Sequence, residues 1–187
     1  LINAPVIPAS VTDMERTFLG CRNLVNAPVI PANVTNMYGT FWHCANLVNA
    51  PVIPANVISL NGTFRNCIKL SNVPNMSQAI SIEDMVSTFW NCTNLVNAPV
   101  IPAKVTNMYG TFWNCTNLTG NIKIMSNRIV NAAIANCFYG TTKTKNVYIP
   151  FTGYNSLANT HAAAINSTYG INGKNGVTIY DINTYTG

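Results

Sequence analysis

The sequence predicts an α/β repeat solenoid: six strand-plus-helix units stacked over residues 1–140 and closed by a β-α-β cap over residues 141–187. Three observations carry that prediction. The stretch NLVNAPVIPANVTNMYGTFW, Asn23 to Trp42, returns at Asn94 to Trp113 with one change, Asn33 becoming Lys104. A leucine opens each unit at Leu1, Leu24, Leu47, Leu70, Leu95 and Leu118, so successive starts are 23, 23, 23, 25 and 23 residues apart. A phenylalanine follows at Phe18, Phe41, Phe64, Phe89 and Phe112, with a cysteine three residues after each, at Cys21, Cys44, Cys67, Cys92 and Cys115. Self-similarity at a fixed period means that no unit buries its apolar face alone; neighbours stack to make one continuous core.

The units divide internally by apolar spacing. Val34, Met37 and Phe41 are three and four apart, the spacing of one helical face, and Val11-Met14-Phe18, Val57-Leu60-Phe64, Ile82-Met85-Phe89 and Val105-Met108-Phe112 repeat it. The preceding APVIP is short, β-branched at its centre and bounded by prolines, which predicts a strand of two or three residues. Proline lacks a ladder donor, but the degenerate copies NIKI, Asn121 to Ile124, and VYIP, Val147 to Pro150, have ordinary strand chemistry. A period near 23 lies within the ~20–29 residues of leucine-rich repeats. The fourth unit has two extra residues between Met76 and Ile82 and is expected to bulge, carrying Glu83-Asp84 outward. The sixth replaces the phenylalanine with Ile134 and keeps the register at Cys137.

Beyond TTKTK the text changes. Ser156 caps an expected helix running to about Tyr169, Gly170 ends it, and the NGKNG turn delivers a last strand, Val177 to Ile182. The chain opens at Leu1, inside a repeat, and a solenoid needs its ends covered, so a further N-terminal region is expected to cover the first rung.

The string CTNL..APVIPA.VTNM..TFWNC closely resembles the BspA-like leucine-rich repeats of bacterial surface proteins, in which cysteine and leucine precede an IP strand and phenylalanine closes the unit. VYIP followed by a tyrosine-bearing helix resembles the C-terminal unit of that family. The resemblance spans the whole chain. It implies binding to a host or matrix component, at a bacterial cell surface, in the extracellular space or on a phage particle; fold-level likeness does not name the ligand.

With 48% hydrophobic and 8% charged residues, the composition suits a well-packed chain, and no apolar run approaches the ~20 residues of a membrane span. The six cysteines recur in register. If their column lies on the helical side, backbones ~8–10 Å apart exclude disulfides and leave buried free thiols; nearer the strands, pairing stays open. No two cysteines have the spacing of zinc ligands, so no metal is expected. Of the 29 asparagines many recur beside the leucine, at Asn23, Asn46, Asn94 and Asn117 before it and Asn3, Asn26, Asn49, Asn72 and Asn97 after it, where stacked amides can bond one another and the turns.

Catalysis is not expected. Asp13, Glu15, Glu83, Asp84, Asp181, His43 and His161 form no nucleophile-base pair, carboxylate pair or metal cage, and nothing calls for a cofactor. The net charge of +5 comes from ten scattered basic residues, which argues against nucleic acid.

Two surfaces remain as candidates. Tyr38, Trp42, Trp90, Tyr109 and Trp113 form an aromatic stripe with polar residues around it, suited to a protein or glycan partner; the competing reading packs the tryptophans over the prolines of the neighbouring unit. Val6, Val29, Val52 and Val100 face outward if Pro28 and Ile30 face inward, giving an apolar interface patch; a register error of one residue would bury them. The expected function is a non-catalytic, surface-displayed adhesion module recognising a host or cell-surface protein or glycan. The alternative is an assembly role, in which the valine face or the open first rung joins copies of the chain as a homo-oligomer or meets the N-terminal region.

Overall fold

The computed structural model describes residues 2–129, 131–134, 136–143, 145–150 and 177–181. Among the described residues regular elements are few: β1 (Gly120–Lys123), α1 (Asn131–Ile134), β2 (Lys145–Ile149) and β3 (Val177–Asp181). The three strands form one parallel sheet in the order β1-β2-β3, pairing Ile122 with Val147 and Val147 with Ile179. Earlier units join the same stack through single parallel bridges, in one column Asn3-Asn26-Asn49-Asn72 and in another Asp13-Asn36-Ser59-Asp84-Asn107.

The segments expected to be helices are runs of turns, and their hydrogen bonds give the reason. Backbone N–H groups alternate between two partners. Those of Met37, Gly39, Phe41 and His43 reach forward to the carbonyls of Ser59, Asn61, Thr63 and Arg65 in the next unit, at 2.8–3.1 Å. Those of Thr40, Trp42 and Cys44 turn back to Met37, Gly39 and Phe41. An α-helix would need every N–H for its own i−4 carbonyl; here half are committed to a neighbour. The alternation needs left-handed residues at two places per unit. One holds Arg16, Gly39, Gly62, Ser87, Gly110 and Asn136; the other holds Gly20, His43, Asn66, Asn91, Asn114 and Gly140, all with φ between 51° and 78°. Glycine and asparagine dominate because they reach αL at least cost. His43 thus stands in an asparagine place.

The core is a set of ladders. Phe18, Phe41, Phe64, Phe89, Phe112 and Phe138 stack in sequence with ring centroids 5.5–5.7 Å apart and planes within 7°. Leu24, Leu47, Leu70, Leu95 and Leu118 are wholly buried beside them. Buried threonines satisfy their hydroxyls on carbonyls, Thr40 on Met14 and Met37, Thr111 on Met85 and Met108.

The cysteines are free, and the residues flanking their column are backbone-bonded from unit to unit, His43 N–H to Arg65 O, Asn66 N–H to Trp90 O and Asn91 N–H to Trp113 O. Spacing along it is therefore near the ~4.8 Å of paired strands, so the distance argument for a helical side does not apply. Four of the thiols have another use: Cys44, Cys67, Cys92 and Cys115 donate to the carbonyls of Phe18, Phe41, Phe64 and Phe89 at 3.0–3.1 Å. Burial pushes the Cys44 and Cys137 thiols up to about 12 and those of Cys67 and Cys92 well above the ordinary range.

Two registers differ from expectation. Phe112 N–H bonds to Cys137 O, which puts Cys137 in the threonine place, Phe138 in the phenylalanine place and Thr141 in the cysteine place; Ile134 fills the methionine place. Three residues inserted before α1 cause the shift. In the fourth unit Ile80 protrudes, 66% exposed, while Asp84 keeps its bridges to Ser59 and Asn107 and only Glu83 is fully outward. The asparagine ladders form as the amide chemistry requires: Asn72 donates to Asn49 and Asn49 to Asn26, and at the left-handed place Asn114 donates to Asn91 and Asn91 to Asn66.

Most of the PVIP segments are extended without strand pairing. Their cross-unit bonds include Ile53 N–H to Asn75 O and Ile101 N–H to Lys123 O, because each proline removes a donor. The outer strands of the cap are β2 and β3; the helix expected over 156–169 lies outside the described residues.

Candidate binding surfaces

The left-handed residue that ends each unit's turn fixes the side chain before it on the outer flank. Those positions fall in one column, Leu19 in the first unit and then Trp42, Arg65, Trp90, Trp113 and Tyr139. Trp90 stacks on Trp113 at 4.2 Å with planes 5° apart, and Trp113 meets Tyr139 at 4.2 Å with a 32° tilt. Arg65 fills the gap between Trp42 and Trp90, its guanidinium carbon 5.0 and 4.6 Å from the two ring centroids. The column is half-buried from Trp42 to Trp113 and most open at Tyr139, 46% exposed. Its rings cover one another and the glycine backbone of the next unit: a Cβ at Gly110 would lie 3.0 Å from Cε3 and Cζ3 of Trp90.

This geometry selects among ligands. Flat sugars are held by stacking on open ring faces, and here the inner faces are taken. What remains available is a rigid edge of indole, guanidinium and phenol, and Trp, Tyr and Arg are the residues that dominate protein interfaces. Trp42 Nε1 and Arg65 Nε are buried without a partner, so neither is an outward donor.

Tyr38 and Tyr109 lie in a separate, interrupted column with Asn61 and Val86 between them, so the structure does not join them to the tryptophans. Tyr38 takes the Arg16 guanidinium over its ring at 4.9 Å, and its hydroxyl accepts from Arg16 Nη2 at 3.3 Å. Tyr109, 39% exposed, accepts from Asn136 Nδ2 at 3.2 Å. Sequence reasoning omitted Arg65 and Tyr139 from the stripe. Arg65 directly follows Phe64 as Trp42 follows Phe41, and the Phe138-Tyr139-Gly140 triplet carried the signal for Tyr139.

The valine face is open. Val6, Val29, Val52 and Val100 are 94, 88, 58 and 52% exposed, while Ile30, Ile53 and Ile101 beside them are buried. Asn75 and Lys123 occupy the same column in the fourth and sixth units. Beside the valines runs a trough floored by prolines and alanines. It holds hollows of about 360 Å³ at Val6 and Val29, about 430 Å³ at Val29 and Val52, and about 610 Å³ at Ile80, Val100 and Met125.

Among the described residues no group of three His, Cys, Asp or Glu side chains is placed to hold a metal ion, and no helix is long and apolar enough to cross a membrane.

Comparison with known proteins agrees with this architecture. No curated protein matches the chain. Among solved structures, a leucine-rich repeat protein of T. pallidum superposes with a TM-score of 0.54 at 18% identity, over 79% of this chain and 72% of that one. A leucine-rich repeat protein from Bacteroides ovatus superposes with a TM-score of 0.51, also at 18% identity, over 79% of this chain but 39% of its own length. At such identity the likeness speaks to the fold. The family model for the BspA type leucine rich repeat region matches in six copies, over residues 2–118 and 38–164, and with the ladders in the same register the chain belongs to that family.

Proposed function

We propose that the chain is a non-catalytic protein-binding module whose contact edge is the Trp42-Arg65-Trp90-Trp113-Tyr139 column. Leucine-rich repeat proteins generally mediate protein binding, and BspA-type members are often surface-associated; display at a cell surface is part of the proposal. The observation that carries it is the continuous stack of four aromatic rings and one guanidinium over five units at 4.2–5.0 Å. Each ring is held by its neighbours before any partner arrives, so little side-chain entropy is lost on binding. The filled ring faces favour a protein over the glycan partner.

The test is binding of the labelled chain to arrays of extracellular proteins, to a glycan array and to intact bacterial and epithelial cells. A Trp42→Ala, Trp90→Ala, Trp113→Ala variant, checked by circular dichroism for folding, runs beside it. Signal on proteins that the variant loses supports the reading. Equal binding by both, or signal on glycans alone, overturns it.

A further inference from the structure

The valine face is separate from the aromatic column and independent of the function proposed for it. We infer that it pairs two copies of this chain about a twofold axis perpendicular to the face, the valine column of each copy lying in the trough of the other.

Area is the first argument. Val6, Val29, Val52, Ile80, Val100 and Met125 are 94, 88, 58, 66, 52 and 43% exposed. That equals about four fully exposed side chains, roughly 500 Å² at about 120 Å² each, already near the top of the ~300–600 Å² largest patch of a typical monomer. The prolines and alanines of the trough bring it toward the ~800 Å² per partner of a standard interface.

Period is the second. Ridges meet troughs along the whole face only if both sides repeat at the rung spacing, near 4.8 Å. An α-helix advances ~5.4 Å per turn and a strand repeats its side-chain face every ~6.6 Å, so either drifts out of step within a few rungs. A second copy has the same spacing by construction.

Charge is the third and sets the orientation. The face is uncharged through its first four units and carries Lys104 and Lys123 at the far end. A twofold arrangement sets the first unit against the sixth, so Val29 faces Val100 and Val52 faces Asn75 of the other copy. The lysines of the two copies then sit three to five rungs apart, about 14 Å or more, beyond the ~8–10 Å Debye length. The Asn75 Oδ1 keeps a partner there, accepting from Ser77 N–H at 3.0 Å. Proline-bounded segments also bring few backbone donors into the dry interface.

Light scattering over about 1 to 100 µM chain, the range where interfaces of this size associate, is expected to show the mass rising toward twice the monomer. Val29→Lys with Val52→Lys is expected to abolish the rise while circular dichroism stays unchanged. Val29→Thr with Val52→Thr keeps the shape, serves if the lysine variant misfolds, and is expected to weaken dimerisation at least tenfold. Trp90→Ala is expected to dimerise as the wild type does. A wild type that stays monomeric across the range overturns the inference, as does a folded threonine or lysine variant that dimerises with wild-type affinity. A monomer that binds a foreign protein through these valines would overturn it too, by making that protein the occupant.

Discussion

Arg65→Ala empties the place between Trp42 and Trp90 in the outer column, and its cost follows from the geometry. The guanidinium lies over two indole faces at 5.0 and 4.6 Å. Each cation–π contact at a half-exposed site contributes about 0.5–1 kcal/mol, so the pair contributes about 1–2 kcal/mol. Loss of the aliphatic stem uncovers part of both rings and adds on the order of 1 kcal/mol. Against this, Arg65 Nε is buried without an acceptor, and removing an unsatisfied donor returns about 1 kcal/mol or more. The net expected loss is about 1–2 kcal/mol, above the ~0.5 kcal/mol of an ordinary surface substitution such as Lys69→Ala. Urea unfolding followed by circular dichroism measures it, and tryptophan emission reports whether Trp42 and Trp90 become wetter. Arg65→Met keeps the stem and removes the charge, and should fall between the two. If Arg65→Ala lies within about 0.3 kcal/mol of wild type, or Arg65→Met equals wild type, the sandwich does not hold the column and the reasoning fails.

Other outcomes follow from the ladders. Phe64 stacks on both Phe41 and Phe89 and Phe18 on Phe41, so Phe64→Ala should cost about 3–5 kcal/mol and exceed Phe18→Ala by roughly 0.5–1.5 kcal/mol in denaturant titration. Gly62→Ala and Gly110→Ala both force an alanine to φ +60°, but only the second meets the Trp90 ring at 3.0 Å; it should be the more destabilising by about 1 kcal/mol or more, and equal losses would mean that Trp90 moves freely. The buried thiols have folded values raised above the ordinary 9.0, to about 12 at Cys44 and Cys137. The unfolded chain then releases these protons first, so their contribution to stability is complete below pH 9.0 and is lost as pH climbs toward about 12. Cys44→Ser with Cys137→Ser should flatten that alkaline decline, and at pH 8 a thiol reagent should reach Cys21 in the native chain and all six cysteines only after unfolding.

Much of the fold was legible because a stack writes each core position several times. The leucine and phenylalanine ladders and the asparagine amides follow from register alone, while the valines needed the in-or-out parity of the proline segments as well. The turn path was not legible. Val34, Met37 and Phe41 point inward at helical intervals, yet that spacing reports only which side chains are buried. The forward bonds of Met37, Gly39, Phe41 and His43 depend on the next unit and leave no mark within their own. The left-handed places were half visible: glycine and asparagine announce them, while Arg16 and Ser87 adopt the same φ because their neighbours on the stack impose it. The sixth unit misled because cysteine was taken as its anchor. The stacking force lies in the aromatic ladder, and Phe138 with Tyr139 obeys it where Cys137 does not. In the outer column, aromatic content hid Arg65: a guanidinium is flat enough to take a ring's place in a stack, which a search for aromatic residues passes over.

The alternating backbone bonds also have a mechanical meaning. Every forward bond runs along the stack axis, from one unit to the next, while the turn bonds stay inside a unit. A pull along the axis therefore loads every row in series, and an end unit, bonded on one side only, is the first to give. Such a chain yields by shedding units one after another. Each 23-residue unit would release about 76–83 Å of chain at ~3.3–3.6 Å per residue, and the longer fourth and sixth units somewhat more, so under tension the protein would lengthen in steps while the remaining stack keeps its shape.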